Sequence, residues 1–120
     1  MLAFLLCQTP GVVDHAYFLK EAKHARIIRA KIMDHFERAA SPTTSLAEKE
    51  GLLQFVVVGG GPTGVEFAGE LIDMLDNDLS KQFPSLIPLV RVRLIQSADH
   101  ILVRLHTWHT AAALLAQAAC

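Results

Sequence analysis

The chain predicts an α/β fold: one strand–helix–strand unit of a parallel sheet, preceded by a long helix. Three observations predict it. Phe55-Val56-Val57-Val58 is an apolar, β-favouring run, and Val90 to Ile95 reads as a second strand. Between them, Gly59-Gly60-Gly61-Pro62-Thr63-Gly64 leads directly into Val65-Glu66-Phe67-Ala68-Gly69-Glu70-Leu71, a helical pattern without proline. The first run does not alternate apolar with polar residues. It is therefore expected to be buried on both faces, as parallel strands are.

The elements follow in order. Thr9-Pro10-Gly11 reads as a turn. Asp14 is a candidate N-cap for a helix running to about Ala40, with Phe18, Ala22, Ala25, Ile28, Ile32 and Phe36 at helical spacing. Tyr17 and Phe18 read as part of that helix's core. Lys20, Lys23, Arg26 and Arg29 form a basic face, read as solvent-exposed charge. Ser41-Pro42-Thr43-Thr44-Ser45 is a loop of helix breakers and cap formers. Leu46 to Gly51 predicts a short turn of helix, and Leu53 to Val58 the first strand. The next helix spans about Thr63 to Gln82. Val65, Ala68, Leu71, Ile72, Leu75 and Leu79 make its apolar stripe, with Asp73, Asp76, Asp78 and Lys81 off it. Pro84 and Pro88 punctuate a loop before the second strand. Thr107 to Cys120 is alanine-rich and weakly helical, with no strand to continue the sheet.

At 120 residues the chain is one domain or less, and 52% apolar against 19% charged residues argues against disorder. A formal net charge of −1 without a basic stripe gives no support for a nucleic-acid partner. The two cysteines, Cys7 and Cys120, form no C-x-x-C, so neither a redox dithiol nor a thiolate metal site is indicated. The apolar start, Met1 to Cys7, is too short to span a bilayer. It lacks the basic leader of a signal peptide and the arginines of a transit peptide, so no targeting segment is read here.

The glycine segment carries the chemistry. It has the G-x-G-x-x-G spacing in the strand–turn–helix setting of a dinucleotide-binding crossover. Gly59 permits a tight turn, Gly61 lets backbone approach a pyrophosphate, and Gly64 lets helix and strand pack closely. The helix start then presents free N–H groups and its positive dipole end to phosphate. The sequence thus predicts a partial Rossmann-type NAD(P)-binding domain, with Gly59, Gly60, Gly61, Pro62, Thr63 and Gly64 at the cofactor.

The end of the second strand in such a fold reads the adenosine ribose. An acidic residue there bonds the 2′-hydroxyl and repels a 2′-phosphate. Here Gln96 follows Ile95, 37 residues after Gly59 (96 − 59), where about 20 is usual; the long helix and the proline loop account for the excess. A neutral Gln96 removes the repulsion, so NADPH is expected to be accepted alongside NADH. The other reading is a solvated strand-end residue. Glu66 lies in the first helical turn. It is either a carboxylate favoured by the helix dipole or a group beside the nicotinamide; Glu70, one turn on, reads as structural. His106 and His109 share a face at i, i+3 but have no third ligand nearby, so no metal site is expected.

The segments Thr9-Pro-Gly-Val with His15-Ala-Tyr-Phe-Leu-Lys20, Leu53 to Leu71, and Asp99-His-Ile-Leu102 resemble the type II, or alternative, NAD(P)H:quinone oxidoreductases. Val56 to Leu71 is the most specific part, and the external mitochondrial forms of plants are the most similar. The resemblance covers roughly residues 9–102. Residues 1–8 stand as an unassigned extension and 103–120 as a divergent tail. What the resemblance implies is a flavoprotein held peripherally at the mitochondrial inner membrane. NAD(P)H passes a hydride to FAD, and electrons go on to ubiquinone without proton pumping. It also implies a pyrophosphate loop at Gly59, Gly61 and Gly64, a catalytic position for Glu66 near the nicotinamide–flavin contact, and a ribose-reading position for Gln96. Some such enzymes carry Gln there and prefer NADPH. The chain shows no second glycine fingerprint for FAD and no C-terminal flavin or quinone segment, so alone it is expected to be inactive as an oxidoreductase. A different class of function, a non-catalytic nucleotide-binding or interaction fragment, accounts for the same pattern. A lone unit of this kind leaves strand edges and apolar surface uncovered, which makes self-association an expected interaction.

Overall fold

The computed structural model describes residues 15–96 in full, with the backbone of Leu2–Ala3 and Gln117–Ala118. Four parallel strands lie in the order β1 (Leu2–Ala3), β2 (Gln54–Val58), β3 (Arg91–Gln96) and β4 (Gln117–Ala118). The central pair runs in register from Gln54 opposite Arg91 to Val58 opposite Ile95. Leu2 and Ala3 pair with Val57 and Val58 on one side, and Gln117 and Ala118 pair with Ile95 and Gln96 on the other. The tail therefore does supply a strand, against the sequence expectation. Two residues leave no apolar alternation to read, and pairing across a sheet has no local signal.

Helix α1 spans Ala22–Ala40 and buries Ile28, Ile32, Phe36 and Ala39. The periodicity predicted that stripe but also carried the helix back to Asp14. The observed N-cap is Glu21, seven residues later (21 − 14), because Lys20 and Glu21 are held at the helix entrance. Both of their N–H groups donate to His24 Nδ1, at 3.3 and 3.2 Å, and Glu21 is extended, at φ −139° and ψ 158°. Tyr17 sits in an isolated β-bridge, 37% exposed, rather than in a helix core. Asp14 and the Thr9–Gly11 turn lie outside the described residues.

Helix α2 (Leu46–Leu52) starts where the sequence predicts. Glu48 N–H donates to Ser45 Oγ, and Glu48 Oε2 accepts from Ser45 N–H at 2.8 Å and from Ser45 Oγ–H at 2.7 Å. This reciprocal box satisfies two groups that a helix start leaves unpaired. At the far end of α1, Thr44 Oγ–H donates to the Arg38 carbonyl at 2.7 Å.

Helix α3 covers Pro62–Met74 and continues without a break through a π-helical turn at Leu75–Leu79 into Ser80–Gln82. The π turn is marked by Ser80 N–H donating five residues back to Leu75 O. It keeps Leu79 on the buried side with Gly64, Ala68, Leu71 and Leu75. Pro84 and Pro88 stand in the connection to β3, where Ile87–Leu89 forms a single 3₁₀ turn.

The core lies on one side of the sheet. Phe55 and Val92 join Ile28, Ile32, Phe36, Leu71, Leu75 and Leu79 in one cluster, and Val57 packs with Ala68 and Leu94 in a second. Phe36 stacks near-parallel to Phe55, with centroids 6.3 Å apart, and meets Phe83 at 5.4 Å. The other side is open. Val56, Val58 and Ile95 are half-buried, and Gln54, Arg91 and Arg93 are exposed. The expectation that β2 is buried on both faces is thus not met among the described residues. The described helices α1 and α3 both pack against the Phe55 and Val57 face.

Candidate functional site

The site is built where β2 and β3 end side by side and α3 begins, the crevice in which open α/β sheets bind their ligands. Gly59 makes the last link between the strands, its N–H donating to Ile95 O at 2.8 Å. Its φ of 112° then turns the chain, a conformation essentially restricted to glycine. Gly61 is the N-cap of α3, and its carbonyl accepts the first helical bond, from Val65 N–H at 3.1 Å. Pro62 has no N–H to give, so the amides of Thr63 and Gly64 are the orphan donors of this helix start.

The three remaining glycine positions behave differently. A Cβ on Gly64 would collide with the Gly59 carbonyl oxygen, so α3 approaches the turn as closely as a glycine allows. A Cβ on Gly60 would collide with Gln96 Oε1. The Gln96 side chain therefore lies across the turn, at the end of β3. A Cβ on Gly61 would meet no atom of the described residues within 4 Å. Bare backbone facing open space at a helix start fits the diphosphate of a dinucleotide, which needs close N–H donors and room for its oxygens.

Glu66 is exposed, one turn beyond Gly61. It lines an open groove of about 650 Å³ between α1 and α3, together with Thr63, Glu70 and Phe67 from α3 and Ile28 and Arg29 from α1. The groove joins the glycine turn, through Thr63, to the first half of α1. Arg29, read from sequence only as solvated charge, is thereby placed near the carboxylates of α3. Its helical phase gave no sign of this, because the packing of two helices decides it. Glu70, read as structural, is exposed on the same groove. Among the described residues no group of three or more His, Cys, Asp or Glu side chains is placed to hold a metal. His106, His109, Cys7 and Cys120 lie outside the described residues. No described helix is long and apolar enough to cross a membrane.

The profile of the pyridine nucleotide-disulphide oxidoreductases matches residues 3–119. The chain belongs to this family. Membership agrees with the parallel sheet and the glycine turn, and the match runs beyond residues 9–102, where the sequence motifs lie. Within the family the chain is similar to an external alternative NAD(P)H-ubiquinone oxidoreductase of Arabidopsis thaliana mitochondria. The two are 51% identical over 94 residues, 78% of this chain and 16% of that protein. An external NADH-ubiquinone oxidoreductase of Saccharomyces cerevisiae mitochondria is 50% identical over 93 residues, 78% of this chain and 17% of that protein. Among solved structures, Plasmodium falciparum NDH2 in complex with NADH superposes with a TM-score of 0.76 at 33% identity, over 79% of this chain and 19% of that one. The chain thus spans about a sixth of the length of the curated relatives it matches.

Proposed function

We propose that this chain is the NAD(P)H-binding portion of a flavin-dependent NAD(P)H:ubiquinone oxidoreductase that does not pump protons. One observation carries the reading: the glycine turn is closed by Gly59 and Gly64 against each other, while Gly61 stays open to a ligand at the start of α3. In this reading the amides of Thr63 and Gly64 hold the pyrophosphate, assisted by the positive end of α3. Gln96, anchored over Gly60, offers a neutral amide to the adenosine ribose and accepts a 2′-phosphate as readily as a hydroxyl. Glu66 borders the nicotinamide end of the site and orients it. The cofactors supply hydride transfer from nicotinamide to FAD and onward electron transfer to ubiquinone, while the protein binds and positions. The flavin and quinone steps belong to the remaining length of such enzymes. The named relatives support a mitochondrial location, and the proposed placement is peripheral, at the inner membrane.

The test is calorimetric titration of the chain with NADPH and NADH, for wild type and Gly61→Val. The valine Cβ meets no atom of the described residues, so the fold persists at a modest cap cost of about 1 kcal/mol, while its side chain occupies the pyrophosphate position. Saturable binding weakened about tenfold or more by Gly61→Val, about 1.4 kcal/mol, is the expected outcome. A folded wild-type chain that binds neither nucleotide overturns the proposal. So does equal binding by Gly61→Val.

A further inference from the structure

Gly59 and Gly64 are glycines for reasons internal to the turn, and Gly61 lies open to solvent. Gly60 differs from all three. Gly59 is the one glycine of the described residues with positive φ, so the backbone at Gly60 is a conformation that a side chain tolerates. Gly60 is buried, whereas Gly61 beside it is exposed. The three atoms that a Cβ on Gly60 would meet first all belong to Gln96: Oε1, then Cδ at 2.6 Å and Cβ at 3.2 Å. Glycine stands at this position because of Gln96.

The strand register brings the two residues together. Val58 is opposite Ile95, and Gly59 N–H donates to Ile95 O at 2.8 Å, so Gly60 and Gln96 follow side by side. On its other flank Gln96 pairs with Ala118. The Gln96 backbone is thus held between two strands, and its side chain is the part that answers a change at position 60.

We infer that Gly60 is a positioning residue for the adenosine end of the nucleotide site: its missing side chain is the seat that holds the Gln96 amide at the ribose. The role rests on the nucleotide reading of the site. Gly60 acts through Gln96, while Gly61, Thr63 and Gly64 serve the pyrophosphate. Oε1 lies where Gly60 carries a hydrogen in place of Cβ, a location that suits an acceptor. The N–H end of the amide is then turned away from Gly60, and its donors suit a ribose hydroxyl or a 2′-phosphate oxygen. A methyl group at position 60 takes this seat. Oε1 and Cδ are the far end of a flexible side chain, so Gln96 swings off the turn, and the closer Cβ needs only a small shift. Gly60→Ala therefore keeps the fold and displaces the amide.

The test is a double-mutant cycle on the 120-residue chain. Wild type, Gly60→Ala, Gln96→Ala and the double variant are each titrated with NADPH by calorimetry. Each single change should weaken NADPH binding about fivefold or more, the loss of one hydrogen bond. The double variant should bind no worse than either single one, because both changes remove the same contact. Proton NMR of the nucleotide-free chain gives a second readout: the Gln96 side chain should show close contacts to the Gly60 α-protons, lost in Gly60→Ala. Equal NADPH binding by wild type and Gly60→Ala overturns the inference and leaves the nucleotide reading standing. Losses that multiply to about 25-fold or more in the double variant also overturn it, because Gly60 then acts apart from Gln96. So does the absence of the NMR contact in wild type. A folded wild-type chain that binds neither NADPH nor NADH overturns the nucleotide reading, and this role with it.

Discussion

At the residue scale, the glycine turn shows why identity matters at some positions and not at others. Gly59 is required by its φ of 112°. Gly64 is required by the carbonyl it faces and Gly60 by the Gln96 side chain, whereas Gly61 has space around it. The residue types and spacing were readable in the sequence, because glycine is the one residue whose placement reports backbone geometry directly. The contact between Gly60 and Gln96 was not readable, because the two are separated by the whole crossover and meet only when β2 and β3 pair. That contact shows where the Gln96 side chain lies. Changing Gln96→Glu should lower the affinity for NADPH relative to NADH by about tenfold or more, since a carboxylate beside a 2′-phosphate repels it. Parallel calorimetric titrations with the two nucleotides measure the ratio, and an unchanged ratio removes Gln96 from the ribose site.

At the element scale, caps decide where helices begin. Helix α2 was legible because a loop of breakers and cap formers, Ser41 to Ser45, stands directly ahead of Leu46; Ser45 and Glu48, three apart, form its reciprocal cap. The start of α1 was misplaced because apolar spacing continues through Phe18, and periodicity has no term for a backbone held by a side chain. Glu21 and His24 have the same spacing as Ser45 and Glu48, and that was the available signal. The α2 cap also responds to acid. Hydrogen bonds from the Ser45 side chain and backbone, with the positive charge of Arg38 nearby, hold the Glu48 carboxyl below its ordinary value of 4.5. A carboxyl lowered in the folded state contributes stability that is present above its unfolded value and lost as pH falls through the folded one. The α2 entrance should therefore hold at neutral pH and fray only below about pH 4.5. Amide protection at Glu48 and Lys49, followed from about pH 6 to about pH 3, measures it. Glu48→Gln should flatten that profile, and a profile unchanged by the substitution would remove Glu48 as its origin.

At the scale of the whole molecule, one aromatic contact holds the layers together. Phe36 is fully buried between Phe55 of the sheet and Phe83 beyond α3. Truncating Phe36→Ala removes buried area and leaves a cavity among three elements, so the chain should lose about 3–5 kcal/mol, read as a lower midpoint in urea unfolding. A loss below about 1 kcal/mol would mean the layers are held elsewhere. The one-sided core has a topological origin. Strands that follow one another in a single direction across a parallel sheet, joined by right-handed crossovers, put every connecting helix on one face. Val56 and Val58 are apolar yet only half-buried, because α1 and α3 share the opposite face with Phe55 and Val57. Composition along a strand reports its preference for a sheet; it does not report which neighbours arrive to cover it. The sequence by itself determined the α/β class, the two central strands, the long helix between them and the glycine turn, since each rests on periodicity or backbone chemistry within a few adjacent residues. Tertiary structure alone decided the two short edge strands, the exposure of Val56 and Val58, the seat of Gln96 over Gly60 and the groove shared by Glu66 and Arg29, since each depends on residues far apart in the chain coming into contact.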